Sequence, residues 1–176
     1  MSIHPQSNSS PFVSVVIQSS SFDLAAETLL LEAELAGRRT DVGALATFTG
    51  SVRGSEHNAG DVKDNAAAYG ALLALDVEHY PAMTQSTIEA IVLTASQRWD
   101  FLACKVIHRV GRLAVGEPIV MVLVASSHRK EAFAACEYIL DYLKNAAPFW
   151  KKAIFERGEQ WVDAKLSDSE ALDQWL

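Results

Sequence analysis

The stretch Ile119-Val-Met-Val-Leu-Val-Ala-Ser-Ser-His128 is an apolar run that ends in two serines. An apolar run of this length predicts a strand over Ile119–Ala125 that is buried on both faces at the centre of a sheet. The serines precede a predicted helix over about Arg129–Asn145, whose apolar residues recur at helical spacing. Pro148 prevents that helix from continuing. A central strand followed by a helix is therefore the core of the predicted fold.

Hydrophobic patterning and turn residues predict further elements on both sides of this core. The other predicted strands are Phe12–Gln18, Val42–Val52, Leu72–His79, Leu102–Val110, Phe149–Glu156 and Gln160–Ala164, and the other predicted helices are Asp23–Ala36, stopped by Gly37, and Ala82–Trp99, preceded by Pro81. Gly111 to Pro118 is predicted to form a turn, and Gly54–Ala66 a loop without a hydrophobic period.

The order of these elements predicts an α+β fold, with helices packed on one face of a mainly antiparallel sheet and a small additional β hairpin. With 176 residues, the chain is long enough for one compact core and short for two domains. We expect a flexible leader over 1–11, a single domain over 12–165 and a C-terminal tail over 166–176.

Charge and composition narrow the classes of function. The formal net charge is −7 and the isoelectric point is near 5.2, which argues against a general nucleic-acid or membrane-surface binder. The apolar stretches are too short to predict a transmembrane helix, and Met1–Ser10 lack the features of a secretory signal, so a cytoplasmic location is expected.

The two cysteines and the histidines offer little for metal or thiol chemistry. Cys104 and Cys136 stand in no CxxC or His/Cys ligand spacing, so two ordinary buried thiols are expected. His79, His108 and His128 have no partner at an HxH or HExxH spacing, and no metal site or other cofactor is predicted. The sequence also lacks a GxSxG elbow, a Walker loop and a GxGxxG after a strand.

Basic residues near turns are the informative feature of this acidic chain. Arg53 follows a predicted strand and is as consistent with a solvated surface side chain as with a binding role. His128 and Arg129 begin a helix, where free backbone N–H groups and the helix dipole favour an anion. His108-Arg109 and Lys152 are further bases near predicted turns.

Lys144 and Lys151 flank the break at Pro148. Lys144 alone would be expected merely to complement the helix dipole, but the break could fold Lys151 back beside it. Two neighbouring lysines repel each other, so each either loses its proton more readily or recruits an anion. Together with Arg53, His128 and Arg129 they would hold a phosphate and a carboxylate, with Phe149 or Trp150 stacked on a flat ring.

Several motifs, taken in order, resemble the large subunits of molybdopterin synthases. The motifs are Gly43-Ala-Leu-Ala-Thr-Phe-Thr-Gly-Ser-Val-Arg53, Leu75-Asp-Val-Glu-His-Tyr-Pro-Ala-Met83, Val106-Ile-His-Arg-Val-Gly111, Ser126-Ser-His-Arg129, Asp141-Tyr-Leu-Lys-Asn-Ala-Ala-Pro-Phe-Trp-Lys-Lys152 and Trp161-Val162. They extend from about Phe12 to Ala164, nearly the whole chain.

This resemblance implies a sulfur transfer. In the family, a cyclic pyranopterin monophosphate receives two sulfurs and becomes the dithiolene of molybdopterin, during molybdenum cofactor biosynthesis. The sulfur arrives as a thiocarboxylate at the C-terminus of a small ubiquitin-like subunit. The family also implies a dimer of large subunits with one small subunit at each end. Such an enzyme needs no reactive thiol of its own.

The resemblance assigns roles to individual residues of this chain. Lys144 matches the essential lysine near the thiocarboxylate, and Lys151 matches a second pocket lysine. Arg53, His128 and Arg129 match residues that hold the substrate, and Phe48 matches an aromatic near the channel for the partner's tail. Lys165 stands where relatives carry Arg, which keeps the charge and loses the bidentate fork.

Two alternatives remain open from the sequence. The first is a paralogue that keeps the dimer and binds the partner without turnover, although it would have no reason to retain both Lys144 and Lys151. The second is a general binder of phosphate ligands, which would have no affinity for a ubiquitin-like protein.

Overall fold

The computed structural model describes residues 10–54, 69–162 and 172–175. Within them the strands are β1 (Phe12–Gln18), β2 (Ala44–Ser51), β3 (Leu72–His79), β4 (Ala103–Arg109), β5 (Gly111–Ala114), β6 (Pro118–Ser126), β7 (Phe149–Phe155) and β8 (Gly158–Val162). The helices are α1 (Leu24–Glu34), α2 (Pro81–Arg98) and α3 (Arg129–Ala146), and Ala36–Asp41 is 3₁₀-helical.

The described strands form two four-stranded sheets. The first sheet has the order β1-β4-β6-β2, with β1 parallel to β4 and the other pairs antiparallel. The second has the order β5-β3-β7-β8 and is antiparallel throughout. The predicted α+β class with mainly antiparallel pairing is confirmed. The predicted closing hairpin is larger than expected, because β7 pairs with β3 and so becomes part of a full second sheet.

Strand β6 lies at the centre of the first sheet, as its apolar run predicts. It pairs with β4 on one side and β2 on the other, and Ile119 to Ser126 are all buried. Alternate residues of the sheet pack in two separate clusters: Val122 and Val124 face α2 and α3, and Met121 and Leu123 face α1. The expectation that all helices pack on one face is therefore wrong, because α1 covers the opposite face.

Local signals fix the helix ends. The Asp23 carboxylate accepts a hydrogen bond of 2.8 Å from the Ala26 N–H and caps α1. Pro81 is the first residue of α2, a position at which its missing N–H costs nothing. Helix α3 ends at Ala146, and Ala147 is extended because the following Pro148 disfavours a helical backbone there.

Two expectations about local structure are wrong. Gly111–Ala114 is a strand rather than part of a turn, because it pairs with Ala74–Val77 of β3, a partner distant in sequence. Helix α1 ends at Glu34 rather than at Ala36, and Gly37 lies in the 3₁₀ segment that follows.

Some predictions fall outside the described residues. These are the leader apart from residues 10–11, the loop 54–66 apart from Gly54, Lys165, and the tail apart from residues 172–175. No helix in the described part of the chain is long and apolar enough to cross a membrane.

Candidate active site

Strand β7 presents its two lysines to opposite faces of the second sheet. Lys151 lies on the same face as Phe149 and the buried Ala153, because side chains alternate along a strand. Lys152 lies on the other face, with its Nζ 4.7 Å from the centre of the Trp161 ring and 3.4 Å from a Glu159 oxygen. Of the two adjacent lysines, only Lys151 is directed toward the core side of the sheet.

A buried histidine lies close to Lys151. His108 is 3% exposed, and its ring stacks on Phe149 with the ring centres 3.8 Å apart. Its Nδ1 is 2.8 Å from the Arg109 carbonyl oxygen, which can only accept, so Nδ1 carries the hydrogen. Burial, together with the positive charge of Lys151, lowers the pKa of His108 to about 3. His108 is therefore neutral at physiological pH.

A second histidine joins this group through strand pairing. His79 lies directly opposite Phe149 in the β3–β7 ladder, with ring centres 6.3 Å apart. Its Nδ1 is buried and has no hydrogen-bond partner. The sequence suggested His79 only as a possible metal ligand and His108 also as a base near a turn, and it did not reveal that these histidines lie together with Phe149 and Lys151. Among the described residues, no group of three His, Cys, Asp or Glu side chains could hold a metal ion.

Phe48 lies in the middle of β2, and Arg53 follows the end of the strand. Arg53 is exposed and follows the buried Val52 directly after the strand. Phe48 is 39% exposed, and its ring leans over Gly50, where a Cβ would lie 3.4 Å from the Phe48 ring and 2.9 Å from Val120. Glycine at position 50 therefore leaves room for an aromatic side chain directed toward the Arg53 end of the strand.

The strand directions bring three of the candidate bases to one end of the first sheet. The ends of β2 and β4 both pair with the beginning of β6, since Ser51 pairs with Pro118 and His108 with Val120. Helix α3 follows β6 after two residues and packs along it, so α3 runs back and its last turn, which contains Lys144, lies at the same end. Arg53, the His108–Lys151 group and Lys144 thus share one region, here called the lysine end.

His128 and Arg129 lie at the opposite end of α3. His128 is the residue before the helix, its side chain makes no capping hydrogen bond, and both side chains are exposed. Lys144 follows Arg129 by 15 residues in the same helix, a rise of about 22 Å at 1.5 Å per residue. One chain therefore does not bring the five predicted bases into one pocket. The predicted helix over about Arg129–Asn145 already places Arg129 and Lys144 at its opposite ends, so the sequence contained this signal.

The two cysteines are buried and free, as expected. Burial raises the pKa of the Cys136 thiol to about 11, and burial and the neighbouring Cys136 also raise the pKa of Cys104. Both therefore stay protonated at neutral pH. Neither thiol is placed to act as a nucleophile.

Comparison with known proteins defines the class to which this fold and site belong. Residues 17–146 match the family model described as MoaE protein. The chain is 46% identical over 159 residues to the molybdopterin synthase catalytic subunit of Ralstonia nicotianae, covering 90% of this chain and 82% of the relative. It is 45% identical over 161 residues to the protein of the same name from Cereibacter sphaeroides, covering 92% and 99%.

Solved structures give the same result. The chain is similar to the molybdopterin biosynthesis MoaE protein of Burkholderia ambifaria, with a TM-score of 0.72 and 42% identity, over 93% of this chain and 98% of that one. It is also similar to the molybdopterin synthase of Staphylococcus aureus, with a TM-score of 0.68 and 25% identity, over 85% and 96%. The chain belongs to the MoaE family, the catalytic subunits of molybdopterin synthase, and is an enzyme of molybdopterin biosynthesis.

Proposed function

We propose that this chain transfers sulfur from the thiocarboxylated C-terminus of a small ubiquitin-like subunit to cyclic pyranopterin monophosphate, forming the dithiolene of molybdopterin. The observation that carries this proposal is the lysine end, where Arg53, Lys144 and Lys151 lie at one end of the first sheet. These bases suit a substrate that bears a phosphate and a partner tail that bears a thiocarboxylate. The buried, protonated thiols fit a reaction whose sulfur comes from the partner.

Each residue of the lysine end has a role in this proposal. Lys144 stabilises negative charge or transfers a proton as the thiocarboxylate sulfur attacks the pterin and as water then hydrolyses the resulting thioester, which releases the partner's tail as a carboxylate. Lys151 binds the anionic substrate, supported by the neutral His108 and the Phe149 ring. Arg53 binds the substrate phosphate, because a guanidinium can bind two phosphate oxygens at once. Phe48 lines the channel for the partner's C-terminal tail.

His128 and Arg129 contribute to the same chemistry from a second copy of the chain. They are too far along α3 to reach an anion held by Lys144 of their own chain. Their exposure at a helix N-terminus suits an anion brought by another molecule. In a symmetric dimer, each site would then combine the lysine end of one chain with His128 and Arg129 of the other.

A reconstitution assay tests the proposed function. The chain is mixed with the thiocarboxylated small subunit and cyclic pyranopterin monophosphate, and the dithiolene product is measured. We expect turnover by the wild-type chain. Binding of the small subunit without product would favour a non-catalytic paralogue, and no binding of the small subunit would favour a general phosphate binder.

A further inference from the structure

Arg109 is a buried base that the proposed reaction does not use. It is 5% exposed, and its guanidinium contacts two separate segments of backbone. Its Nη1 donates to the Pro118 carbonyl at 2.9 Å, and its Nε and Nη2 donate to the Ser19 carbonyl at 3.4 and 3.2 Å. A buried ion contributes little net stability by itself, because removing its charge from water is costly. The geometry instead suits a clamp on the turn before β6.

Glu117 completes this clamp from within the turn. One of its oxygens lies 3.6 Å from Arg109 Nη2, and the other accepts a hydrogen bond of 2.7 Å from the Ala114 N–H. The Glu117 N–H also donates to the Ala114 carbonyl at 3.0 Å. Gly116 has a φ of +88°, a conformation that other residues adopt only with strain. The turn from Ala114 to Pro118 is thus fixed by its own hydrogen bonds and by Arg109.

The turn from Ala114 to Pro118 also holds the backbone next to Arg53. The Val52 N–H donates to the Glu117 carbonyl at 2.9 Å, and the Gly116 N–H donates to the Val52 carbonyl at 2.8 Å. On the other side of Arg53, a Cβ at Gly54 would lie 3.1 Å from a Val115 methyl carbon. The backbone on both sides of Arg53 therefore lies against this one turn.

We infer that Arg109 and Glu117 are positioning residues for substrate binding. They hold the turn 114–118 against Val52 and thereby fix the backbone position of Arg53. The inference rests on the proposed function, in which Arg53 binds the substrate phosphate. The adjacent residues His108 and Arg109 then have two separate roles. His108 supports Lys151, and Arg109 supports Arg53.

The decisive variant is Glu117→Gln, because Glu117 is partly exposed and its side chain can change without emptying the core. The affinity of the full chain, bound to its small subunit, for cyclic pyranopterin monophosphate is measured by calorimetry. We expect Glu117→Gln to raise the Kd several-fold, to leave kcat at saturating substrate nearly unchanged, and to speed hydrogen exchange at the Val52 amide. Arg109→Lys keeps the charge, loses the fork, and should act in the same direction.

A double-mutant cycle separates positioning from general destabilisation. If Glu117 acts through Arg53, then Glu117→Gln should raise the Kd in the wild-type background and have no further effect on the Kd in an Arg53→Ala background. An unchanged Kd, or an equal rise in both backgrounds, would overturn the inference. If Arg53→Ala alone leaves the Kd unchanged, the proposed role of Arg53 fails instead, whatever the exchange rate at Val52.

The matched control is Glu27→Gln. Glu27 of α1 forms an ion pair with Lys105, which lies on the same face of β4 as Arg109 but four residues before it. This variant removes a carboxylate from a partly buried ion pair, as Glu117→Gln does. It should leave the Kd for the substrate and the exchange of the Val52 amide unchanged, even if it lowers the melting temperature.

Discussion

The two ends of α3 both carry bases, but their surroundings differ. At its C-terminal end, Lys144 lies in a region supported by the buried His108 and its stack on Phe149. At its N-terminal end, His128 and Arg129 are exposed beside free backbone N–H groups. Lys144 is itself exposed, but its end of the helix lies near a buried ring stack, whereas the N-terminal end is open to an anion. In the proposed function, similar basic residues on one helix therefore perform different parts of one reaction.

The largest effect is expected at the C-terminal end. Lys144→Ala should lower dithiolene formation by about 10²- to 10⁴-fold, because it removes the group proposed to transfer a proton or stabilise charge. Lys144 is exposed, so the fold and binding of the small subunit should be unchanged, as measured by circular dichroism and gel filtration. Retained turnover would contradict the assignment.

The next comparison is between the adjacent lysines of β7. Lys151→Ala should weaken binding of cyclic pyranopterin monophosphate by about tenfold or more, because a hydrogen bond from a charged group contributes about 1.5–3 kcal/mol. Lys152→Ala is the control, since Lys152 lies on the outer face beside Trp161 and Glu159. Calorimetry on both variants measures the difference. Equal losses of affinity would show that substrate binding does not depend on which face of β7 carries the lysine.

The burial of His108 at the lysine end should also appear in the pH dependence of the free energy of unfolding. The pKa of His108 is about 3 in the folded chain and near 6.5 when exposed, so the unfolded chain binds more protons between these values. Stability is therefore lost as the pH falls below about 6.5, and the contribution from His108 should reach about 2 kcal/mol between pH 7 and pH 5.

His108→Asn keeps a donor for the Arg109 carbonyl and does not titrate, so it isolates this contribution. Urea unfolding of both proteins at several pH values should show that the variant loses less stability on acidification than the wild type. Parallel curves would mean that His108 is not held neutral.

The smallest effect is expected for the ion pair on the outer face. Glu159→Gln removes the partner of Lys152, but the Glu159 side chain is 61% exposed. Exposed ion pairs contribute about 0–1 kcal/mol. Thermal unfolding should therefore change little, and substrate affinity should not change. A loss of affinity like that of Lys151→Ala would place the outer face in the site.

The sequence predicted the elements whose signals are local. The apolar run of β6, the periodicity of α3 and the prolines at 81 and 148 each determine structure within a few residues. Strand β5 was missed because its four residues become a strand only through pairing with β3. The pairing of β7 with β3 made the second sheet larger than predicted for the same reason.

The positions of the proposed site residues were predictable to the same extent, whereas their roles came from the family resemblance. Lys144 at a helix end and Arg53 at a strand end follow from local patterns. The group of His79, His108, Phe149 and Lys151 depends on the register between β3 and β7 and on the approach of β4, which no spacing in the sequence reveals. The separation of Arg129 from Lys144 follows from the length of α3 once its bounds are known.

In the proposed dimer, each site combines the lysine end of one chain with the N-terminal end of α3 from the other chain. Mixing two inactive variants, Lys144→Ala and Arg129→Ala, tests it most directly. After exchange of subunits, about half of the dimers contain one chain of each kind, and one of their two sites has both native residues. If each site is shared between two chains, the mixture should recover about a quarter of the wild-type activity. If both residues serve a site within one chain, every site carries one defect, and the mixture would show no recovery.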